Sequence, residues 1–222
     1  QGGAGTDGVQ VDASGNALIE ANYIGPDAAG TTGQANVHAG IVLNGSPNTI
    51  VRNNLIAGNT GSGIDITGAG ATGNTIVGNL IGANASGTSG IGNLGAGVLV
   101  EAGAHGNTIG GTLATSRNVI SGNVTGILLD TGTSANTILG NSIGTTLAGS
   151  AAIANVGSGV RLNDSSANQI GGTVAGAGNL ISGNTGDGIT VSGAGSASNV
   201  IAGNLIGTTA SGAVALRNNG QG

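Results

Sequence analysis

A Gly-aliphatic-x-aliphatic unit recurs seven times along the chain, and it leaves few architectures open. It stands at Gly8-Val9-Gln10-Val11, Gly40-Ile41-Val42-Leu43, Gly63-Ile64-Asp65-Ile66, Gly97-Val98-Leu99-Val100, Gly126-Ile127-Leu128-Leu129, Gly159-Val160-Arg161-Leu162 and Gly188-Ile189-Thr190-Val191. The spacings are 32, 23, 34, 29, 33 and 29 residues, so long and short units alternate, and the later pairs repeat at 62 or 63 residues. Gly222 falls where an eighth unit would begin. Alternation of period two puts the two aliphatic residues of a unit on one face of a strand. Repetition at this period marks solenoids and arrays.

Two further strand signals follow within each unit. Asn-x-aliphatic groups begin at Asn16, Asn48, Asn74, Asn107, Asn136, Asn168 and Asn199, and Asn-x-Ile groups at Asn22, Asn54, Asn79, Asn118, Asn141, Asn179 and Asn204. A third asparagine, at Asn36, Asn59, Asn93, Asn123, Asn155, Asn184 and Asn218, closes each unit. Three short strands and three corners describe one triangular turn of an all-β parallel solenoid. About seven coils stacked at ~4.8 Å give a total rise near ~34 Å. An asparagine at the same place in every coil can pass its amide hydrogen bonds up and down the stack. Glycine and asparagine tolerate the positive φ that sharp corners need.

Composition agrees with a narrow aliphatic core. The chain holds 49 glycines, is 38% hydrophobic, has Tyr23 as its one aromatic residue and has no Lys, Cys, Met or Trp. Glycine does not recur at every third residue, which excludes collagen. The formal charge is −5, and Arg52, Arg117, Arg161 and Arg217 are the only strong cations. Nucleic-acid binding needs clustered cations and aromatic platforms, and both are missing. Without cysteine there is no disulfide framework and no thiolate metal site. No basic segment followed by a long apolar run occurs, so no membrane span is expected in this segment. The chain opens and closes inside its own repeat pattern, which points to a single repeat segment, residues 1–222, of a longer array.

Coils that vary in length suit a right-handed parallel β-helix with insertions at one corner. Long units carry segments such as Gly144–Gly149 and Gly207–Gly212; two short units carry Gly110-Gly111-Thr112-Leu113 and Gly171-Gly172-Thr173-Val174. The motifs Asn-x-Ile-x-Gly-Asn-x-Ile-Gly, at Asn199 to Gly207, and Ile-Ser-Gly-Asn-x-x-Gly-Ile in the variant at Ile181 to Ile189 resemble right-handed parallel β-helix repeats of bacterial surface and extracellular proteins. The resemblance spans essentially the whole chain. It implies an extracellular or cell-surface scaffold, such as a stalk, filament or adhesin segment. The alternative is a carbohydrate-binding or polysaccharide-active β-helix, because one fold serves both. Expected partners are copies stacked end to end or a continuation of the same solenoid, with a surface or matrix polysaccharide as a further candidate.

Candidate chemistry is sparse. Thr6-Asp7-Gly8-Val9, Gly186-Asp187-Gly188 and Ala104-His105-Gly106 superficially resemble elements of the polygalacturonase family, yet Asp7 and Asp187 are six coils apart. Asp65 and Arg161 share an outward column but lie too many coils apart to meet. Glu101 and Asp130 are register neighbours and could share a proton or bind a cation, or form a solvated acidic edge. Gly2-Gly3-Ala4-Gly5-Thr6-Asp7-Gly8-Val9-Gln10 fits a nonapeptide calcium repeat, but no tandem copy follows. Asn44, Asn84, Asn123 and Asn163 begin sequons, to which no role is attached. The reading assigns no catalytic, cofactor or metal residue and expects no enzyme. Tyr23, Leu55, Leu80, Val119, Ser142, Leu180 and Leu205 form one further column, which is either an exposed apolar stripe or is covered by insertions.

Overall fold

A computed structural model describes residues 7–220 as three parallel seven-stranded sheets that run the length of a rod. The first sheet holds Val9–Asp12, Ile41–Asn44, Ile64–Thr67, Ala96–Glu101, Thr125–Leu129, Val160–Asn163 and Ile189–Ser192. The second holds Leu18–Glu20, Ile50–Arg52, Thr75–Val77, Thr108–Gly110, Thr137–Leu139, Gln169–Gly171 and Val200–Ala202. The third holds the two-residue strands Tyr23–Ile24, Leu55–Ile56, Leu80–Ile81, Val119–Ile120, Ser142–Ile143, Leu180–Ile181 and Leu205–Ile206. Each strand pairs with its counterpart one coil away. Among the described residues the one helical element is a single 3-10 turn, Ala114–Ser116, and no helix is long and apolar enough to cross a membrane.

The glycine-led units set the register of the first sheet. Val9 pairs with Ile41, Ile41 with Ile64, Ile64 with Val98, and the column continues through Ile127 and Val160 to Ile189. Period-two alternation sends Ile64 and Ile66, and likewise Val98 and Val100, into the core with no exposure. Ile76, Ile109 and Ile138 enter from the second sheet, and Ile56, Ile81 and Ile120 from the third. The core is thus a stack of aliphatic layers, each roofed by the next coil.

Asparagine ladders fix two of the three corners over all seven coils. In the second column the Asn22 amide donates to Asn54 Oδ1, Asn54 to Asn79, Asn79 to Asn118, Asn118 to Asn141, Asn141 to Asn179 and Asn179 to Asn204, all at 2.9–3.0 Å. The backbone N–H of each donor asparagine joins the same oxygen, as Asn54 N does to Asn79 Oδ1. The second amide hydrogen turns back to a carbonyl of the preceding coil, as from Asn79 to Val51. The third column is built alike from Asn36 to Asn218. Amides this deep must be paired, and these are.

The first column departs from the sequence reading in coils one and two. Its ladder begins at Asn74 and runs through Asn107, Asn136 and Asn168 to Asn199. Ile50 pairs with Thr75, so Thr49 and not Asn48 occupies the ladder position. Asn16 and Asn48 sit one residue earlier with φ of +62 and +55, at the left-handed corner that Gly73 and Gly106 fill elsewhere. The slip turns Leu18 and Ile50 outward and puts Ile19 and Val51 in the core.

The column from Tyr23 to Leu205 is in register as expected but is not one exposed stripe. Leu55, Val119 and Leu180, on the short coils two, four and six, are only 3, 0 and 6% exposed, against 54% for Tyr23 and 42% for Leu205. The insertions of the long coils lie over them. Ile153, with Ala83 and Val119, forms a small satellite core beneath one insertion.

Candidate functional site

The outer face of the first sheet carries five ionisable groups, Asp12, Asp65, Glu101, Asp130 and Arg161. Its middle outward column reads Gln10, Val42, Asp65, Leu99, Leu128, Arg161 and Thr190, and its last reads Asp12, Asn44, Thr67, Glu101 and then Asp130, Asn163 and Ser192. Alternation against the buried aliphatic residues fixes both columns outward.

Asp65 is the most perturbed group on this face. It lies between Val42 and Leu99 in the column, half-buried, and its Oδ1 has no hydrogen-bond partner. Burial pushes its carboxyl up to about 7, and the charges of Glu101 and then Asp7 add to the shift. Glu101 accepts the Thr67 hydroxyl at 3.4 Å. Arg161 stands three coils away in the same column, beyond Leu99 and Leu128, and the two do not meet.

Glu101 and Asp130 sit on adjacent coils, since Val100 pairs with Leu129, but they turn to different neighbours. Asp130 Oδ1 accepts the Asn163 amide and the Thr131 N–H, both at 2.8 Å. The Asn163 bond first, then that of Thr131, with Arg161 beside them, hold its carboxyl below the usual range. Two carboxylates sharing a proton would instead raise one of the pair. The same kind of bond recurs in coils one and two, where the Asn44 amide donates to Asp12 at 3.1 Å.

The remaining candidates are scattered. Asp7 Oδ1 accepts the Ala39 N–H at 3.0 Å, a corner contact in coil one. Asp187, six coils on, accepts the Thr190 hydroxyl at 2.9 Å, and Thr190 in turn contacts Ser158 at 2.7 Å. His105 lies exposed at the corner between the first and second sheets, bridged to Thr72 and Ser134, with Nδ1 3.1 Å from the Gly103 carbonyl. Most of the calcium-repeat match, Gly2 to Thr6, falls outside the described residues. Among those described, no three acidic or histidine side chains converge to hold a metal ion. Of the sequons, Asn123 is buried in the third ladder, Asn44 is exposed, and Asn84 and Asn163 are half-buried.

Sequence reasoning placed Asp65 correctly but overlooked its environment. The signal was available in Val42 and Leu99, its apolar neighbours in the same column.

No curated protein sequence matches the chain. Among solved structures, the mannuronan C-5 epimerase AlgE6 A-module of Azotobacter vinelandii superposes with a TM-score of 0.53 at 20% sequence identity. The match covers 89% of this chain and 55% of that one, so the chain spans about half the length of the epimerase module. At that identity the likeness is one of fold. The family described as right handed beta helix region matches residues 2–143, well over half the sequence, and the chain belongs to that family.

Proposed function

We propose that the chain is a structural segment of an extracellular or cell-surface β-solenoid, serving as a stalk, filament or adhesin scaffold and not as an enzyme. The observation that carries this reading is the pair of uninterrupted asparagine ladders, six rungs each, that tie all seven coils together. The polar groups of the outer face, by contrast, are engaged with one another or spread along the rod. A positioned acid–base pair with a cation to bind an acidic sugar is not assembled among the described residues.

A polysaccharide-active reading is supported by one observation, the raised carboxyl of Asp65 beside Glu101, and by the fold shared with an epimerase module. Incubation with polymannuronate, alginate and pectin separates the two readings. The scaffold reading expects no new reducing or unsaturated ends and no change in C-5 configuration by NMR. Turnover that Asp65→Asn abolishes would overturn it. Surface labelling of intact cells with antibody to the chain tests the location.

A further inference from the structure

We infer that the uncovered second corner of coils one to three is a binding site for one uncharged pyranose unit of a glycan, built from Glu20, Tyr23, Arg52 and Asn53. The inference rests on the adhesin form of the scaffold reading and deepens it. It supplies a ligand class and a place on the side of the rod, apart from the first sheet.

The corner between the second and third sheets is a single residue in the long coils. Gly78, Gly140 and Gly203 fill it in coils three, five and seven, with φ of +68, +63 and +66. In the short coils four and six it widens to residues 111–117 and 172–178. These segments fold over the corner of the long coil before them: Gly78 N–H donates to the Ser116 carbonyl at 3.2 Å and Gly140 N–H to that of Ala177 at 3.0 Å. Arg117 Nε also reaches the Gly140 carbonyl, at 3.2 Å. Coil two is short as well, yet it has only Asn53 at this place. The corners of coils one and two therefore carry no such cover. Asn53 holds φ +57 where the later long coils use glycine, a conformation that asparagine tolerates.

The uncovered corner is also where the rod places side chains that the later coils do not repeat. Glu20 and Arg52 face outward in register at the ends of their strands. Arg52 Nε and one terminal guanidinium nitrogen donate to the two Glu20 carboxylate oxygens at 2.8 and 3.0 Å. From coil three onward the same column reads Val77, Gly110, Leu139, Gly171 and Ala202. The Arg52 guanidinium, with the Asn53 side chain adding to its effect, holds the Glu20 carboxyl below the ordinary range, so the pair stays charged. Beside it Tyr23, Asn53, Leu55, Gly78, Leu80 and Ala85 line a lateral groove of about 240 Å³. Tyr23 is the one aromatic residue of the chain.

This set fits an uncharged sugar. The two charges of the pair cancel, so an ionic ligand gains no net attraction here. Beyond the two bonds of the pair, the carboxylate can still accept, the guanidinium can still donate and the Asn53 amide can do both. Neighbouring ring hydroxyls, each a donor and an acceptor, satisfy such an array together. The Tyr23 ring and the half-buried Leu80 side chain offer apolar surface for the C–H face of the same ring. The volume suits one pyranose and not a larger cofactor.

Tyr23 makes the test direct, because the full chain has no other aromatic side chain to fluoresce. Titration with the methyl pyranosides of glucose, galactose and mannose is expected to change that fluorescence saturably for at least one of them. Saturation-transfer NMR should report the same sugar in contact with the protein, and methyl glucuronide should bind no more tightly than methyl glucoside. Three variants copy residues that other coils carry at the same positions, so the fold is kept: Asn53→Gly, as at Gly78; Arg52→Val, as at Val77; and Tyr23→Leu, as at Leu80. Each is expected to weaken binding on the order of tenfold, read by saturation transfer. Replacing Asn53 by a copy of residues 111–117 is expected to cover the groove and abolish binding, with circular dichroism unchanged. Absence of saturable binding by all three pyranosides, binding unmoved by Asn53→Gly and Tyr23→Leu, or preference for the glucuronide would overturn the inference. Only binding is read, so its failure leaves the scaffold reading standing, whereas turnover of a polysaccharide would remove that reading and leave the mapped site legible by itself.

Discussion

Asn74 Oδ1 accepts the backbone N–H of Thr49 at 2.8 Å, while the buried Thr49 hydroxyl finds no partner. The first ladder therefore ends two coils short of where Asn16 and Asn48 suggest. Thr49→Asn is expected to add the missing rung, with one amide hydrogen on Asn74 and the other on a carbonyl of coil one, as Asn107 bonds Ala71. The gain should be about 1 kcal/mol in denaturant melts. Asn48→Gly, at the corner with φ +55, should be close to neutral.

In mid-array the same chemistry runs in reverse. Asn107→Ala and Asn136→Ala each remove a fully buried amide that bonds both neighbouring coils. Each is expected to cost about 1–3 kcal/mol, since the neighbouring groups are left unsatisfied. Melts matching the parent would remove the ladder argument.

Asp65 gives the rod a pH dependence with a definite sign. Its carboxyl titrates at about 7 in the fold against an ordinary 3.8. Between those values the folded chain holds a proton that the unfolded chain releases. Stability is therefore fullest below the ordinary value and declines as pH rises to about 7. Asp65→Asn should melt like the parent near pH 4 and above it at pH 8. Thermal melts at the two pH values check this.

Asp27 acts in the opposite sense. The Thr31 N–H, then the Thr32 hydroxyl and N–H, hold its exposed carboxyl down to about 2. Its contribution is present above the ordinary value of 3.8 and is lost as pH falls through about 2. Asn84 makes the same turn in coil three, with Oδ1 accepting Thr88 and Ser89 N–H. Asp27→Asn should therefore keep the turn ordered in acid, and Asp27→Ala should loosen it at every pH, as read from the Thr31 and Thr32 amide resonances.

The register of the first sheet was legible because Gly8 to Gly188 carry both a corner signal and a period-two signal. The second ladder was legible because Asn22 to Asn204 precede isoleucine at a constant offset, and the third because Asn36 to Asn218 stand three or four residues before the next unit's glycine. Asn16 and Asn48 misled because asparagine suits a ladder and a left-handed corner equally, and only the pairing of Ile50 with Thr75 separates the two roles. The cover over Leu55 and Leu180 comes from insertions that bridge two coils, a relation that no single unit displays. Asp65 was legible as a position but not as a perturbed acid, because its burial depends on Val42 and Leu99 from other coils.

The insertions of the long coils bond to one another across each short coil, Ala85 N–H to the Gly30 carbonyl, Leu147 to Gly87 and Ala210 to Gly149, each at 2.9 Å, and this limits how such a rod changes length. Loss of a short coil or duplication of a long one would put two insertions on successive coils, and loss of a long coil or duplication of a short one would leave an aliphatic side chain uncovered. A pair of coils, as from Gly63 to Gly126 or from Gly126 to Gly188, can be removed or copied with the alternation of insertions kept. The rod therefore keeps its side cover only when it lengthens or shortens in steps of two coils.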